Sequence, residues 1–290
     1  MKTAIVINGY YSSPAYTHQV DRITEELRRE GYEPQIFKNN NLLLPKQSFD
    51  FDCAIFLDKD INLARIMEQA GVEVFNSSFS IEKCDDKIKT AIYLSRYQDI
   101  SMPETVIAPL RYSGGDIIDA EFIDSVEKAL AYPMIAKTAT GSLGCGVRLI
   151  ENRQALEETE RELWSAPHLY QKYIASSKGK SVRAYVVGGK AVAGMLLCSA
   201  DDFRSNQGEV TAQAFELDEN YIEIAQRAAN YLDLDFCAVD FLYDSPMIIE
   251  VNSNAYFMKL EQSTKTNIAS SIVKYILERV KENGINGRDY

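Results

Sequence analysis

Asp235-Phe236-Cys237-Ala238-Val239-Asp240-Phe241-Leu242-Tyr243-Asp244-Ser245-Pro246-Met247-Ile248-Ile249-Glu250-Val251-Asn252 is the stretch on which the reading of this chain turns. Two runs rich in Val, Ile, Phe and Leu flank Asp244-Ser245-Pro246, which reads as a tight turn between two strands. Side chains alternate faces along a strand, so Glu250 and Asn252 share one face while Ile249 and Val251 take the other. With three residues in the turn, Asp240 lies opposite Glu250. Two carboxylates and an amide oxygen then converge at one end of the hairpin. Carboxylates held that close repel each other unless a cation lies between them, and an oxygen-only donor set suits Mg2+ or Mn2+. The plainer reading, merely solvated or capping carboxylates, sits poorly with apolar residues on both sides.

The chain around this hairpin is long enough, at 290 residues, to bury a large core and divide into two or three lobes. Its composition, 46% hydrophobic and 25% charged, is that of a globular protein. A net charge of −11 argues against a general nucleic-acid binder, whose affinity rests on Lys and Arg neutralising phosphates. The five cysteines are scattered without CxxC spacing and read as small buried hydrophobes in a reducing compartment. Met1–Gly9 reads as a short strand rather than a signal peptide, and no apolar run approaches membrane-spanning length. A cytoplasmic protein with no membrane association is expected, with a homodimer the commonest assembly for such a chain. His18 and His168 alone give a zinc site or a His-based triad little material.

Residues 1–84 read as a first α/β lobe. Strands at Thr3–Asn8, Glu33–Phe37, Phe51–Leu57 and Val72–Phe75 alternate with helices at Ala15–Glu30 and Ile61–Ala70, which implies a small parallel sheet covered on both faces. No G-x-G-x-x-G follows the first strand, so a dinucleotide site is not expected there. Asp58-Lys59-Asp60 stands at the end of the third strand, where open α/β sheets place ligands. It reads either as a helix-start cluster or as a substrate contact.

Residues 85–172 form a second lobe. Asp85-Asp86-Lys87 opens a helix to about Tyr97, with carboxylates at its positive end. Further helices span Ala120–Leu130 and Asn152 to about Trp164. Between them a strand ends in Lys137, and Gly141, Ser142, Gly144 and Gly146 lead into a second strand. Glycines there let backbone N–H groups approach phosphate oxygens, with Lys137 as the matching cation. A strand follows this loop where Rossmann and Walker motifs need a helix. The loop is therefore a hairpin lid over a nucleotide or an ordinary hairpin turn. His168–Ile174, which includes Gln171, Lys172 and Tyr173, is a strand leading into the last lobe.

Residues 173–290 form the third lobe. Ser181–Val187 and Lys190–Cys198 make a hairpin about Gly188-Gly189, followed by the polar cluster Asp201–Asn206. An amphipathic helix spans 218–232, the carboxylate hairpin comes next, and a final helix is expected over 261–283. An antiparallel sheet with a helix on one face suits these elements.

Taken together these segments resemble the ATP-grasp superfamily, and within it the RimK-like carboxylate–amine ligases. Asn76-Ser77 with Cys84-Asp85-Asp86-Lys87 resembles the start of the family's ATP-grasp region. Lys137 with Gly141–Gly146 resembles its nucleotide lysine and lid, and Gln171-Lys172-Tyr173-Ile174 the hinge strand whose backbone reads adenine. Arg183 and Asp202–Asn206 resemble its phosphate and acyl-phosphate contacts; Asp240, Glu250 and Asn252 resemble its two-ion Mg2+ site. Lys172, Ser181, Leu197 and the sequence Asn252-Ser253-Asn254-Ala255 depart from the common pattern.

The resemblance implies an α/β chain: an ATP-grasp fold behind an N-terminal parallel-sheet domain. It implies an ADP-forming ligase that joins a small-molecule or peptide carboxylate to an amine through an acyl-phosphate. ATP would be held by Lys87, Lys137, the Gly-rich lid and residues 171–174. Arg183, Arg204 and Asn206 would be catalytic, and two Mg2+ or Mn2+ ions would sit on Asp240, Glu250 and Asn252. The rival readings are a thiol, hydroxyl or peptide side-chain acceptor, or a nucleotide-binding scaffold without turnover.

Overall fold

The structure, a computed structural model, describes every residue except 42, 113–116, 142–143 and 287–290. The first segment runs β1 (Thr3–Ile7), α1 (Pro14–Arg29), β2 (Gln35–Lys38), β3 (Cys53–Leu57), α2 (Ile61–Gln69) and β4 (Glu73–Phe75). Its four strands pair in parallel in the order β2-β1-β3-β4. The central strands β1 and β3 are apolar and buried almost throughout, as expected of a covered parallel sheet, while three of the four residues of the edge strand β2 are exposed. Ser13 caps α1 and Asp60 caps α2, each with its side-chain oxygen on helix N–H groups.

The next segment contains α3 (Ser78–Cys84), α4 (Lys87–Leu94), β5 (Thr105–Ile107), α5 (Ala120–Leu130), β6 (Met134–Thr138), β7 (Val147–Ile150), α6 (Arg153–Glu162) and β8 (His168–Lys172). Its antiparallel sheet has the order β5-β8-β6-β7 and packs a core of its own against α5 and α6. The short helix α3 was not expected. Ser77 caps it, and Asp86 caps α4, which is the helix expected from Asp85-Asp86-Lys87 but ends at Leu94 rather than about Tyr97.

The last segment contains β9 (Lys180–Val187), β10 (Lys190–Ser199), β11 (Val210–Ala214), α7 (Glu219–Tyr231), β12 (Phe236–Leu242), β13 (Ile248–Asn252), α8 (Met258–Thr264) and α9 (Ile268–Asn286). The strands form one antiparallel sheet, β11-β10-β9-β12-β13. Strand β11 was missed because Gln213 and its neighbours lack an apolar run. The single final helix is two helices. Lys265 takes a left-handed conformation between them, and the Glu261 carboxylate of α8 accepts the Ile268 and Ala269 amides that open α9.

Alternation decides what the last sheet does with its faces. Val182, Ala184, Val186, Cys237, Val239 and Val251 point to one side and pack against α7. Tyr185, Val187, Phe236 and Ala238 point to the other, into a core shared with α1, α8, α9 and the parallel sheet. The same ladder continues past this core as Arg183, Asp240, Glu250 and Asn252. Where the covering helices stop, the polar members emerge into a cleft.

Candidate active site

Asp240 pairs with Glu250 across the hairpin, and on its other side with Arg183 of β9. The turn differs in detail from the expected one. Leu242 N–H donates to Met247 O at 3.0 Å, so four residues, Tyr243–Pro246, form the loop, and Phe241 pairs with Ile248. A bulge at Ile249 then brings Glu250 opposite Asp240. The three oxygen-bearing side chains share one face.

Each carboxylate already has a cationic neighbour. Arg183 donates to both oxygens of Asp240, Nε to Oδ1 at 2.7 Å and Nη2 to Oδ2 at 2.8 Å. Burial opposes the Arg183 charge, but Asp240 more than offsets it and raises the guanidinium pKa. Lys87 Nζ lies 3.4 Å from Glu250 Oε1 and also donates to Gly141 O at 3.0 Å, tying α4 to the Gly-rich loop. Lys137, at the end of β6, reaches across the cleft and donates to Ile249 O at 3.3 Å. Burial, assisted by Lys87 and opposed by Glu250, lowers the Lys137 ammonium to about 8.

These residues line a cleft of about 910 Å³ between the two antiparallel sheets. Gln171, Lys172, Tyr173 and Ile174 form one wall, where β8 ends; Gln171 is buried and donates to Thr105 Oγ1 at 3.0 Å. Arg204 closes the opposite side. It is held by Asp202 and donates from Nη1 to Gly144 O at 3.1 Å, so it bridges the 202–206 loop and the Gly-rich loop. Gly144 and Gly146 both have φ near +74°, and a Cβ on Gly146 would lie 2.2 Å from Thr138 Oγ1. Glycine is therefore required there. Ser142 lies outside the described residues.

A second cleft, of about 1060 Å³, opens on the far side of Arg183, Asn206 and Glu250, which line both. Its other walls are Asn8, Tyr11, Tyr16, Asp58, Lys59, Asn252, Asn254 and Tyr256, contributed by the parallel sheet and by the segment after β13. Lys59 Nζ pairs with Asp85 Oδ1 at 2.7 Å. Sequence reasoning left Asp58-Lys59-Asp60 between two roles, and the structure divides them: Asp60 caps a helix while Asp58 and Lys59 face the cleft. The tyrosines were missed, because three residues dispersed over 11–256 carry no periodic signal.

The comparisons with known proteins agree with this architecture. The pattern of the RimK-like ATP-grasp domain matches residues 84–276. The chain belongs to the RimK-like ATP-grasp family. This RimK-like chain is 32% identical to an uncharacterized protein of Mycoplasma genitalium, MG012, over 77% of its own length and 79% of the relative's. A probable alpha-L-glutamate ligase of Rhodopirellula baltica is 35% identical over 75% of this chain, which spans 53% of that protein. A RimK domain ATP-grasp protein from Sphaerobacter thermophilus superposes with a TM-score of 0.73 at 21% identity, covering 95% of this chain and 99% of that one. D-alanine–D-alanine ligase from Bacillus anthracis, complexed with ATP, gives 0.73 at 19%, covering 98% and 99%. Membership of this ATP-grasp family makes the protein an ATP-dependent, ADP-forming carboxylate–amine ligase. The family uses ATP with divalent metal ions. Among the described residues no helix is long and apolar enough to cross a membrane.

The donor set fits such an ion. Each oxygen of Asp240 keeps a free lone pair beside its bond to Arg183. Among the described residues Glu250 has one ion pair, the 3.4 Å contact to Lys87, and the Asn252 amide has no hydrogen bond.

Proposed function

We propose that the cleft between the two antiparallel sheets binds ATP and that the second cleft receives the carboxylate and the amine. The observation that carries this reading is the shared wall. Arg183, Asn206 and Glu250 border both chambers, so a group transferred from one is within reach of the other.

Lys137 and Lys87 neutralise the phosphates, the Gly141–Gly146 loop covers them, and residues 171–174 hold the base. Asp240, Glu250 and Asn252 would hold two divalent ions, Mg2+ or Mn2+, which when bound supply charge neutralisation at the β- and γ-phosphates. A carboxylate oxygen of the substrate attacks the γ-phosphorus, the bond to the β-phosphate oxygen breaks, and ADP leaves. The acyl-phosphate stays against Arg183 and Asn206. An amine nitrogen then adds to the acyl carbon, loses a proton, and expels phosphate as the amide forms. Arg183 and Arg204 face the charge that develops in both steps, and closure of the glycine loop excludes water that would hydrolyse the acyl-phosphate.

Incubation with ATP, Mg2+ and pooled carboxylates and amines tests this reading. The expected result is ADP release that needs both a carboxylate and an amine, with a product equal in mass to their sum less one water. ADP release unaffected by either partner, or none with any pool, overturns it.

A further inference from the structure

The charged groups of the second cleft are unevenly paired. Two cations and two carboxylates line it: Lys59, Arg183, Asp58 and Glu250. Both cations are already matched, Lys59 by Asp85 and Arg183 by Asp240. Glu250 faces Lys87 and the proposed metal position. Asp58 remains. It is 7% exposed, its Oδ1 accepts from Lys59 N–H at 2.7 Å and Asn8 Nδ2 at 3.1 Å, and its Oδ2 has no partner among the described residues. A buried carboxylate oxygen left in this condition is costly, and polar groups so placed call for a donor. Burial raises the Asp58 pKa above the usual range, the response of a carboxylate lacking a cation.

The surroundings favour a cation as that donor. The rings of Tyr11, Tyr16 and Tyr256 lie against one another at centroid separations of 5.6, 5.7 and 6.3 Å and wall the same cleft. Aromatic faces attract ammonium groups, and more strongly when water is kept out. Tyr11 stands 41% exposed at the rim, and Asp58 Oδ2 is shielded from water in the free chain, so a ligand that reaches it displaces part of the cleft wall. Around Asp58 itself an acidic group meets the opposite situation, because Lys59 is paired with Asp85 and Asp58 repels it; the carboxylate of the ligase reading belongs instead at the Arg183–Asn206 wall shared with the nucleotide cleft.

Resting on the ligase reading above, we infer that the second cleft selects a cationic amine, whose ammonium group docks on Asp58 Oδ2 within the Tyr11–Tyr16–Tyr256 box. The acceptor then carries two amino groups, one docked as an ammonium on Asp58 and the other neutral and free to add to the acyl carbon, rather than the single amine of a dicarboxylic amino acid. This sets the chain apart from the relative named as a glutamate ligase.

Calorimetric titration of the full chain with Mg2+ and a non-hydrolysable ATP analogue tests the assignment. Two four-carbon probes of matched length, 1,4-diaminobutane and 1,4-butanediol, differ chiefly in charge. The diamine should bind roughly ten-fold or more tighter than the diol, the worth of one charge-assisted hydrogen bond. Asp58→Asn keeps an oxygen for the Lys59 and Asn8 donors and places an amide where Oδ2 stood, so it should erase that preference. Equal or tighter binding of the diol, or a preference that survives Asp58→Asn, overturns the inference. The wild-type order decides even if the variant fails to fold. Because binding is read without turnover, a missing ADP signal counts against the ligase reading alone, and a reversed probe order counts against this one alone.

Discussion

Arg183 and Asp240, on neighbouring strands, meet through two parallel hydrogen bonds of 2.7 and 2.8 Å, and both side chains are largely buried. Asp240 therefore balances a buried cation in addition to its proposed metal role. Replacing it with Asn leaves a buried guanidinium without its counter-charge, which costs on the order of 3 kcal/mol of stability. Asp240→Asn is expected to lower both the melting temperature and ADP release. An unchanged melting temperature would show that the pair contributes no net stability.

Glu250 isolates the proposed metal role more cleanly. Its side chain is a quarter exposed, and among the described residues its one ion pair is the 3.4 Å contact with Lys87. Glu250→Gln should leave thermal unfolding within a few degrees of the parent while cutting ADP release by roughly a hundred-fold or more. Normal turnover by this variant would remove Glu250 from the site.

The Lys137 ammonium, lowered to about 8 by burial, should make nucleotide binding pH-dependent. A bound phosphate favours the charged form, so binding takes up a proton wherever free Lys137 is partly neutral. Affinity for an ATP analogue is expected to fall as pH rises from 7 to 9. The calorimetric enthalpy should vary with the buffer's ionisation heat, and both effects should vanish in Lys137→Met. A flat profile in the parent chain would contradict the assignment.

Asp235 predicts an effect on stability rather than chemistry. Burial raises its carboxyl to about 6, although the Tyr275 hydroxyl donates to it at 2.8 Å and Arg279 lies near. The folded chain then holds a proton that the unfolded chain has lost between about pH 4 and 6, so stability should decline as pH rises through that window. Asp235→Asn keeps an acceptor for Tyr275 and should flatten this slope, gaining about 1–2 kcal/mol at pH 7. Denaturant melts across pH 4–7 measure it.

Asn76 joins two segments. Its Nδ2 donates to Phe236 O and Ser253 O at 2.8 and 3.0 Å, and its Oδ1 accepts the Asp235 amide at 2.7 Å. Asn76→Ala strips these buried backbone groups of partners at once and should destabilise the chain by about 3 kcal/mol. Chemical denaturation should show the lost stability directly.

The parts of the fold that follow local rules were legible in the sequence. Alternation put Glu250 and Asn252 on one face, and strand–helix order gave the parallel sheet. The glycines after Lys137 marked a loop where a Cβ has no room. The bulge at Ile249 was not legible, because a four-residue turn plus one extra residue gives the same Asp240–Glu250 pairing as a three-residue turn. Nor was the break at Lys265, a non-glycine residue in a left-handed conformation. The second cleft was the least legible. Tyr11, Tyr16, Asp58 and Tyr256 become neighbours only when the parallel sheet docks against the segment after β13.

The extra residue at 249 has a consequence for how the two antiparallel sheets are coupled. Without Ile249 the hairpin would close in regular register and still set the two acids face to face, so the insertion is not needed as a spacer. What it provides is a main-chain oxygen, released from the ladder, to which Lys137 is moored from the opposite sheet. The tether is indifferent to the side chain at position 249. Substitution there should therefore be tolerated where deletion is not, and the gap between Lys137 and the acids is held by a bond from its side chain to main chain.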